Sequence, residues 1–169
     1  MPTPTLSRGS NIFLPQHGLR TIISITDEMV GGTKISLCCL QHYFSNKTER
    51  WATIGLFAGK VRAPTSKEIA FNTLLQLQKP PTRKLTGRWK KQEADIKVLI
   101  CLGTLEKNLL ALRLLYDINQ GLWKSSRVEL YGKVLRCVIE EIAYIFSETY
   151  EQCEEKLLNE LSRQALKRT

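Results

Sequence analysis

The run SRVELYGKVLRCVIEEIAYIF, from Ser126 to Phe146, sets Tyr131, Val134, Leu135, Val138, Ile142, Ile145 and Phe146 at alternating three- and four-residue steps. That spacing lays them along one stripe of an α-helix, and a stripe of this length must be buried against another layer. Ser126 and Glu129 stand at capping-box spacing where the run begins. The stripe drifts near Ser147 to Tyr150, where Thr149 and Gln152 have the spacing to cap a fresh helix that packs through Cys153, Leu157, Leu158 and Leu161. Arg163, Lys167 and Arg168 then complement the negative end of that helix. Residues 125–169 read as a helical C-terminal segment.

The earlier part of the chain has a different period. In LRTIISIT, Leu19, Thr21, Ile23 and Ile25 alternate with Arg20, Ile22, Ser24 and Thr26, the pattern of a strand with one buried face. Gly31-Gly32 permits a reversal, and TKISLCCL returns as a second strand, so DEMVGG is expected to be a slightly long hairpin loop. WATIGLFA, residues 51–58, reads as a third strand closed by Gly59. Thr65 and Glu68 then suggest a cap for a helix carrying Ile69, Leu74, Leu75 and Leu77, which must stop before Pro80-Pro81. The β-branched run IKVLICL, residues 96–102, reads as a strand ended by Gly103-Thr104. NLLALRLLYDI, residues 108–118, is ambiguous: leucine content favours helix, short length and flanking turns favour strand, and strand is the reading taken.

These segments define an α+β chain, with an antiparallel sheet or small sandwich in the N-terminal two thirds, one mid-chain helix, and the helical C-terminal segment. With 169 residues, 43% of them hydrophobic, there is enough apolar material for one core. Residues 1–169 are therefore expected to form a single domain. Residues 1–10 are expected to be a flexible tail, and residues 79–95 an exposed basic loop.

Charge is concentrated in that loop. KPPTRKLTGRWKK, residues 79–91, contains Lys79, Arg83, Lys84, Arg88, Lys90 and Lys91 with no acid, so it supplies +6 of the net +9. From residue 92 onward, eleven basic residues meet twelve acidic ones and nearly cancel. Pro80-Pro81 stiffens one end of the stretch, Gly87 permits close backbone approach, and Trp89 can stack on an unpaired base or lie at lipid headgroup level. Lys60 and Arg62 are candidates to extend the same surface. The plain alternative is a solvated linker, and the same cations also suit a nuclear localisation signal. Electrostatics alone does not choose between RNA and an anionic membrane surface, and no RNP aromatic motif, G-x-x-G loop or zinc knuckle singles out a nucleic-acid module.

Signs of catalysis are sparse. His17 and His42 are the only histidines, and neither has metal-ligand spacing to another ligand. Asp27, Asp95 and Asp117 fall near turns, GGTK at residues 31–34 lacks the phosphate-loop frame, and the glutamates from Glu140 to Glu160 read as the wet face of the terminal helices. Five cysteines without C-x-x-C spacing read as free thiols rather than a disulfide framework or zinc site. The expectation is a protein that is not an enzyme, with no cofactor, no metal and no small-molecule substrate. A histidine beside two carboxylates in a cleft would reopen that question. No secretory signal and no apolar window near twenty residues is evident, so the chain is expected inside the cell, in cytoplasm or nucleus, without a transmembrane segment.

Val30 to Thr33 (VGGT) after the first long strand, the segment IKVLICLGTLEKNLLALRLLYDIN at residues 96–119, and the size and basicity together resemble the small matrix proteins of non-segmented negative-strand RNA viruses, of the bornavirus and plant rhabdovirus kind. The resemblance implies a non-enzymatic virion protein that forms homo-oligomers. It also implies peripheral binding to anionic membrane and to nucleocapsid RNA or ribonucleoprotein during assembly. The chain departs from the pattern in having no P-P-x-Y or P-T-A-P motif, which leaves recruitment of budding machinery open. The other reading is an RNA-binding accessory protein, such as a silencing suppressor or movement factor, dimerising through its C-terminal helix.

Overall fold

A computed structural model describes residues 6–78, 85–118 and 125–166. Four strands come first: β1 (Asn11–Leu14), β2 (Gly18–Val30), β3 (Thr33–His42) and β4 (Thr48–Ala52). They form one antiparallel sheet in the order β1-β2-β3-β4, each strand beside its sequence neighbour. The helices α1 (Thr53–Ala58), α2 (Lys67–Leu77), α3 (Trp89–Leu102), α4 (Leu105–Ile118), α5 (Ser125–Phe146) and α6 (Tyr150–Leu166) follow. The α+β class is as expected, and of the two arrangements expected the described residues form the single antiparallel sheet, but its strands end at Ala52 and several helices, not one, follow before the C-terminal segment.

The β2–β3 hairpin is tighter than the sequence reading. Pairing continues to Val30↔Thr33, and Gly31 and Gly32, both at positive φ (60° and 80°), form the whole two-residue turn. Such a turn matches the twist of the flanking strands, so Asp27 to Val30 continue the strand rather than loop out. Lys34 pairs with Asp27 at 2.8 Å, and Arg50 reaches Glu28. A register irregularity between Ile22 and Ser24 shifts the buried face. Ile22 is buried, Ile23 is only partly so, and Ile25 is exposed, contrary to simple alternation from Leu19.

Three segments expected to be strands are helical. β4 stops at Ala52, and the rest of WATIGLFA turns into α1, which drops Leu56 into the sheet core. Residues 96–102 end α3: Ile96, Leu99 and Ile100 are buried while Lys97 and Val98 are exposed, a helical spacing that overrides the β-branched content. Gly103, left-handed at φ 70°, closes α3 by donating its N–H to the Ile100 carbonyl. α4 is buried nearly all round, through Leu105, Leu109, Ala111, Leu112, Leu114 and Leu115, so its apolar residues fill every face and hide the period. The expected helix at residues 65–77 is α2, with Ser66 rather than Thr65 as its cap, its Oγ accepting from Ile69 N–H. The Thr149–Gln152 box is present in full, Thr149 N–H to Gln152 Oε1 at 3.1 Å and Gln152 N–H to Thr149 Oγ1 at 3.2 Å.

Two apolar clusters result. Ile12, Leu14, Ile22, Cys38, Leu40, Leu56 and Val61 gather on the sheet. A larger cluster joins α2 to α6 around α4 and the α5 stripe. α5 also touches β2, and there its Glu140 and Glu141 are buried, not wet as the pattern suggested. Glu140 Oε2 accepts the Leu19 N–H at 3.0 Å. Glu141 takes a two-pronged bond from Arg62, whose residue is itself paired to the edge strand β1 through Phe13. These two adjacent carboxylates fasten the helical layer to the sheet.

Candidate polyanion-binding site

The described part of the basic stretch is not all loop. Arg88 is the N-cap of α3, Trp89 its first residue, and Lys90 and Lys91 complete the first turn. Arg88, Lys90 and Lys91 are exposed. The Arg88 side chain makes no capping hydrogen bond, and no acid lies in the first turn. Helix N-termini present free N–H groups and a partial positive charge, so basic residues there are unfavourable by themselves and strengthen attraction for an anion. Gly87, at φ 94°, turns the chain into the helix, and its carbonyl accepts from the Gln92 side chain at 3.0 Å.

Trp89 is placed differently from the sequence expectation. It is half-buried against the helical core, and the Arg127 guanidinium of α5 covers its ring at 4.7 Å. It is an anchor for the start of α3 rather than an open stacking platform. Lys79, Arg83 and Lys84 lie outside the described residues.

Lys60 and Arg62 do not join this patch. Lys60 is exposed in a left-handed turn after α1 and shares a hollow with Cys101, near the other end of α3. Twelve residues separate Trp89 from Cys101, about 18 Å of helix. Arg62 is a correction to the sequence reading, since it is only 6% exposed and therefore is not a surface contact. Its Nη1 and Nη2 donate to Glu141 Oε1 and Oε2 at 2.6 and 2.8 Å, its Nε donates to the Gly103 carbonyl, and its guanidinium lies 4.2 Å from the Phe13 ring centre. Burial requires such an arginine to be fully paired, and the pairing occupies it.

What the loop reading missed is a line of exposed lysines along the helices, Lys97 paired with Glu93 and Lys133 with Glu129. Lys97, seven residues after Lys90, lies on the same face of α3. α5 runs beside α3, from Arg127 over Trp89 to Cys137 near Cys101, and brings Lys133 to the same groove. Helical spacing within KKQEADIKVLI, residues 90–100, would have given the Lys90–Lys97 alignment, but the strand assignment concealed it.

A second hollow, about 570 Å³, lies between the β3–β4 turn and the α5–α6 corner, with His42, Lys47, Arg136, Glu140, Tyr150 and Glu151 on its walls. A histidine beside carboxylates is the arrangement that would reopen the catalytic question. Here, however, Glu49 and Glu140 each have another task. Glu49 binds Arg20 at 2.8 Å and stands 4.0 Å from His42 Nε2, beyond hydrogen-bonding reach. Glu140 is held by Leu19 N–H, with Arg20 and Arg136 at 3.9 and 3.8 Å. Burial, then Arg20, lowers the pKa of His42, and burial pushes Tyr150 up to about 12. Glu49, Arg20 and Glu140 thus form an ion-pair clamp between sheet and helices. Among the described residues no group of three His, Cys, Asp or Glu side chains could hold a metal ion. Among them also, no helix is long and apolar enough to cross a membrane.

No protein-family model matches the chain, and no curated protein sequence matches it.

Proposed function

We propose that this chain is a non-enzymatic structural protein of the viral-matrix kind, which self-associates and holds a polyanionic surface, nucleocapsid RNA and anionic membrane, inside the cell and in the virion. The observation that carries the reading is the acid-free concentration of cations from Lys79 to Lys91, half of which, Arg88, Lys90 and Lys91, stand exposed around the start of α3. Self-association is supported by apolar surface left open on α1 and α2, where Ile54, Phe57, Ile69 and Phe71 are exposed. A second reading, an RNA-binding accessory protein, is favoured by the line from Lys90 to Lys97 and Lys133, which follows a groove and so suits a strand better than a flat bilayer.

The test is a single-stranded RNA binding series across salt, run beside flotation with anionic vesicles. Six cations on phosphates give a log–log salt slope of about −4. Replacing Lys79, Arg83, Lys84, Arg88, Lys90 and Lys91 together by serine should remove most of that slope and the vesicle binding. Undiminished affinity for both partners in the variant refutes the reading. RNA binding without vesicle binding selects the accessory protein.

A further inference from the structure

The groove between α3 and α5 opens into a cavity of about 190 Å³. Lys97 and Lys133 are exposed on its rim, Ile100, Leu130 and Val134 line it, and Asn108 of α4 is its most deeply buried amide-bearing residue. Asn108 is 1% exposed, and neither its Oδ1 nor its Nδ2 has a hydrogen-bond partner among the described residues. Its backbone N–H is satisfied by the Thr104 carbonyl, so the unmet demand belongs to the carboxamide alone. A buried amide left this way loses its hydration on both the donor and the acceptor side, whereas a leucine, like neighbouring Leu105, Leu109 and Leu112, avoids that loss. The position is costly for the empty protein and complementary to a group that both donates and accepts.

The rim adds a second requirement. Among the described residues, Lys97 and Lys133 are each held only by a carboxylate one turn earlier, Glu93 and Glu129, both at 2.7 Å. Exposed pairs of this kind are weak, so an arriving anion can recruit either ammonium group. The cavity could hold about six waters at roughly 30 Å³ each, which is room for one sugar ring with its hydroxyls. An anion beside a hydroxyl is the chemistry of a ribonucleotide unit, whose 2′-hydroxyl is both donor and acceptor and sits next to phosphate. Lys90 leads toward this point along the same helix face, about 10.5 Å before Lys97.

We infer that the α3–α5 groove seats one ribonucleotide unit of a single RNA strand, with phosphate on Lys97 and Lys133 and the 2′-hydroxyl on the Asn108 carboxamide, so that the protein prefers RNA to DNA. This rests on the reading that nucleic acid is one of its polyanionic partners.

The full chain is titrated by fluorescence anisotropy with single-stranded oligonucleotides of one sequence in ribose, deoxyribose and 2′-O-methyl form. RNA should bind about tenfold more tightly than the other two, the factor that corresponds to one good hydrogen bond. Asn108→Leu should melt at a higher temperature than the parent, keep its affinity for DNA, and lose the preference for RNA. Lys97→Ala with Lys133→Ala should weaken all three strands alike. If RNA and DNA bind equally to the parent, or if Asn108→Leu retains the preference, this inference fails while the polyanion reading stands. If no oligonucleotide binds, the nucleic-acid reading fails and takes this one with it.

Discussion

Removing either partner of the buried Arg62–Glu141 pair should unfold a large part of what holds the sheet to the helices. Glu141 is fully buried and accepts four hydrogen bonds: two from Arg62, at 2.6 and 2.8 Å, and two from Thr65, at 3.0 Å (N–H) and 2.8 Å (Oγ1). Arg62→Met leaves that carboxylate, buried, with only the two neutral donors of Thr65 and no opposite charge in place of the guanidinium. Breaking a buried pair from one side costs about 3–5 kcal/mol, against total stabilities of about 5–15 kcal/mol for domains of this size. Glu141→Met strands the guanidinium and should cost a similar amount. The double variant buries no charge, so it should recover at least about 2 kcal/mol of the summed loss, a coupling that a double-mutant cycle reads directly. Urea unfolding followed by circular dichroism measures all four proteins. Single variants that lose less than about 1 kcal/mol yet bind RNA more weakly would refute the structural role and return Arg62 to the binding surface.

Two further predictions concern α5 and α6. Burial raises the Glu140 pKa above its ordinary 4.5 in spite of the Leu19 N–H and the nearby arginines, so the folded state holds this proton more tightly than the unfolded state does. Its contribution is thus complete below 4.5 and is lost as pH rises through the folded value, and Glu140→Gln should flatten the fall in melting temperature over that window. A parent profile that rises there would contradict the assignment. Thr149→Ala removes the hydroxyl of the capping box at the head of α6 and should cost about 1 kcal/mol by urea unfolding, with faster amide exchange at Gln152.

Features that depend on neighbours in the chain were legible in the residue order. The Thr149–Gln152 box, the α5 stripe and the Gly31-Gly32 reversal each rest on contacts within a few residues, and each is present. Segments whose burial comes from distant partners were misread. IKVLICL looks like a strand because its β-branched residues are counted without the partner layer; α4 and α5 beside it make the i, i+3, i+4 spacing of Ile96, Leu99 and Ile100 decisive. Arg62 and Glu141, 79 residues apart, carry no local mark of their pairing. Asn108 stood in plain view as the one uncharged polar residue between Leu105 and Leu115, yet only packing reveals that its amide goes unmet.

By itself the residue order determined the α+β class, the ends of several elements, and the concentration of positive charge before residue 92, because propensity, capping and charge are carried by short stretches. The tertiary structure decided that Arg62 is an internal clamp, that Trp89 is an anchor, and that lysines of α3 and α5 share one groove. Those outcomes depend on which groups are removed from water together, and the chain settles that only when its layers close on one another.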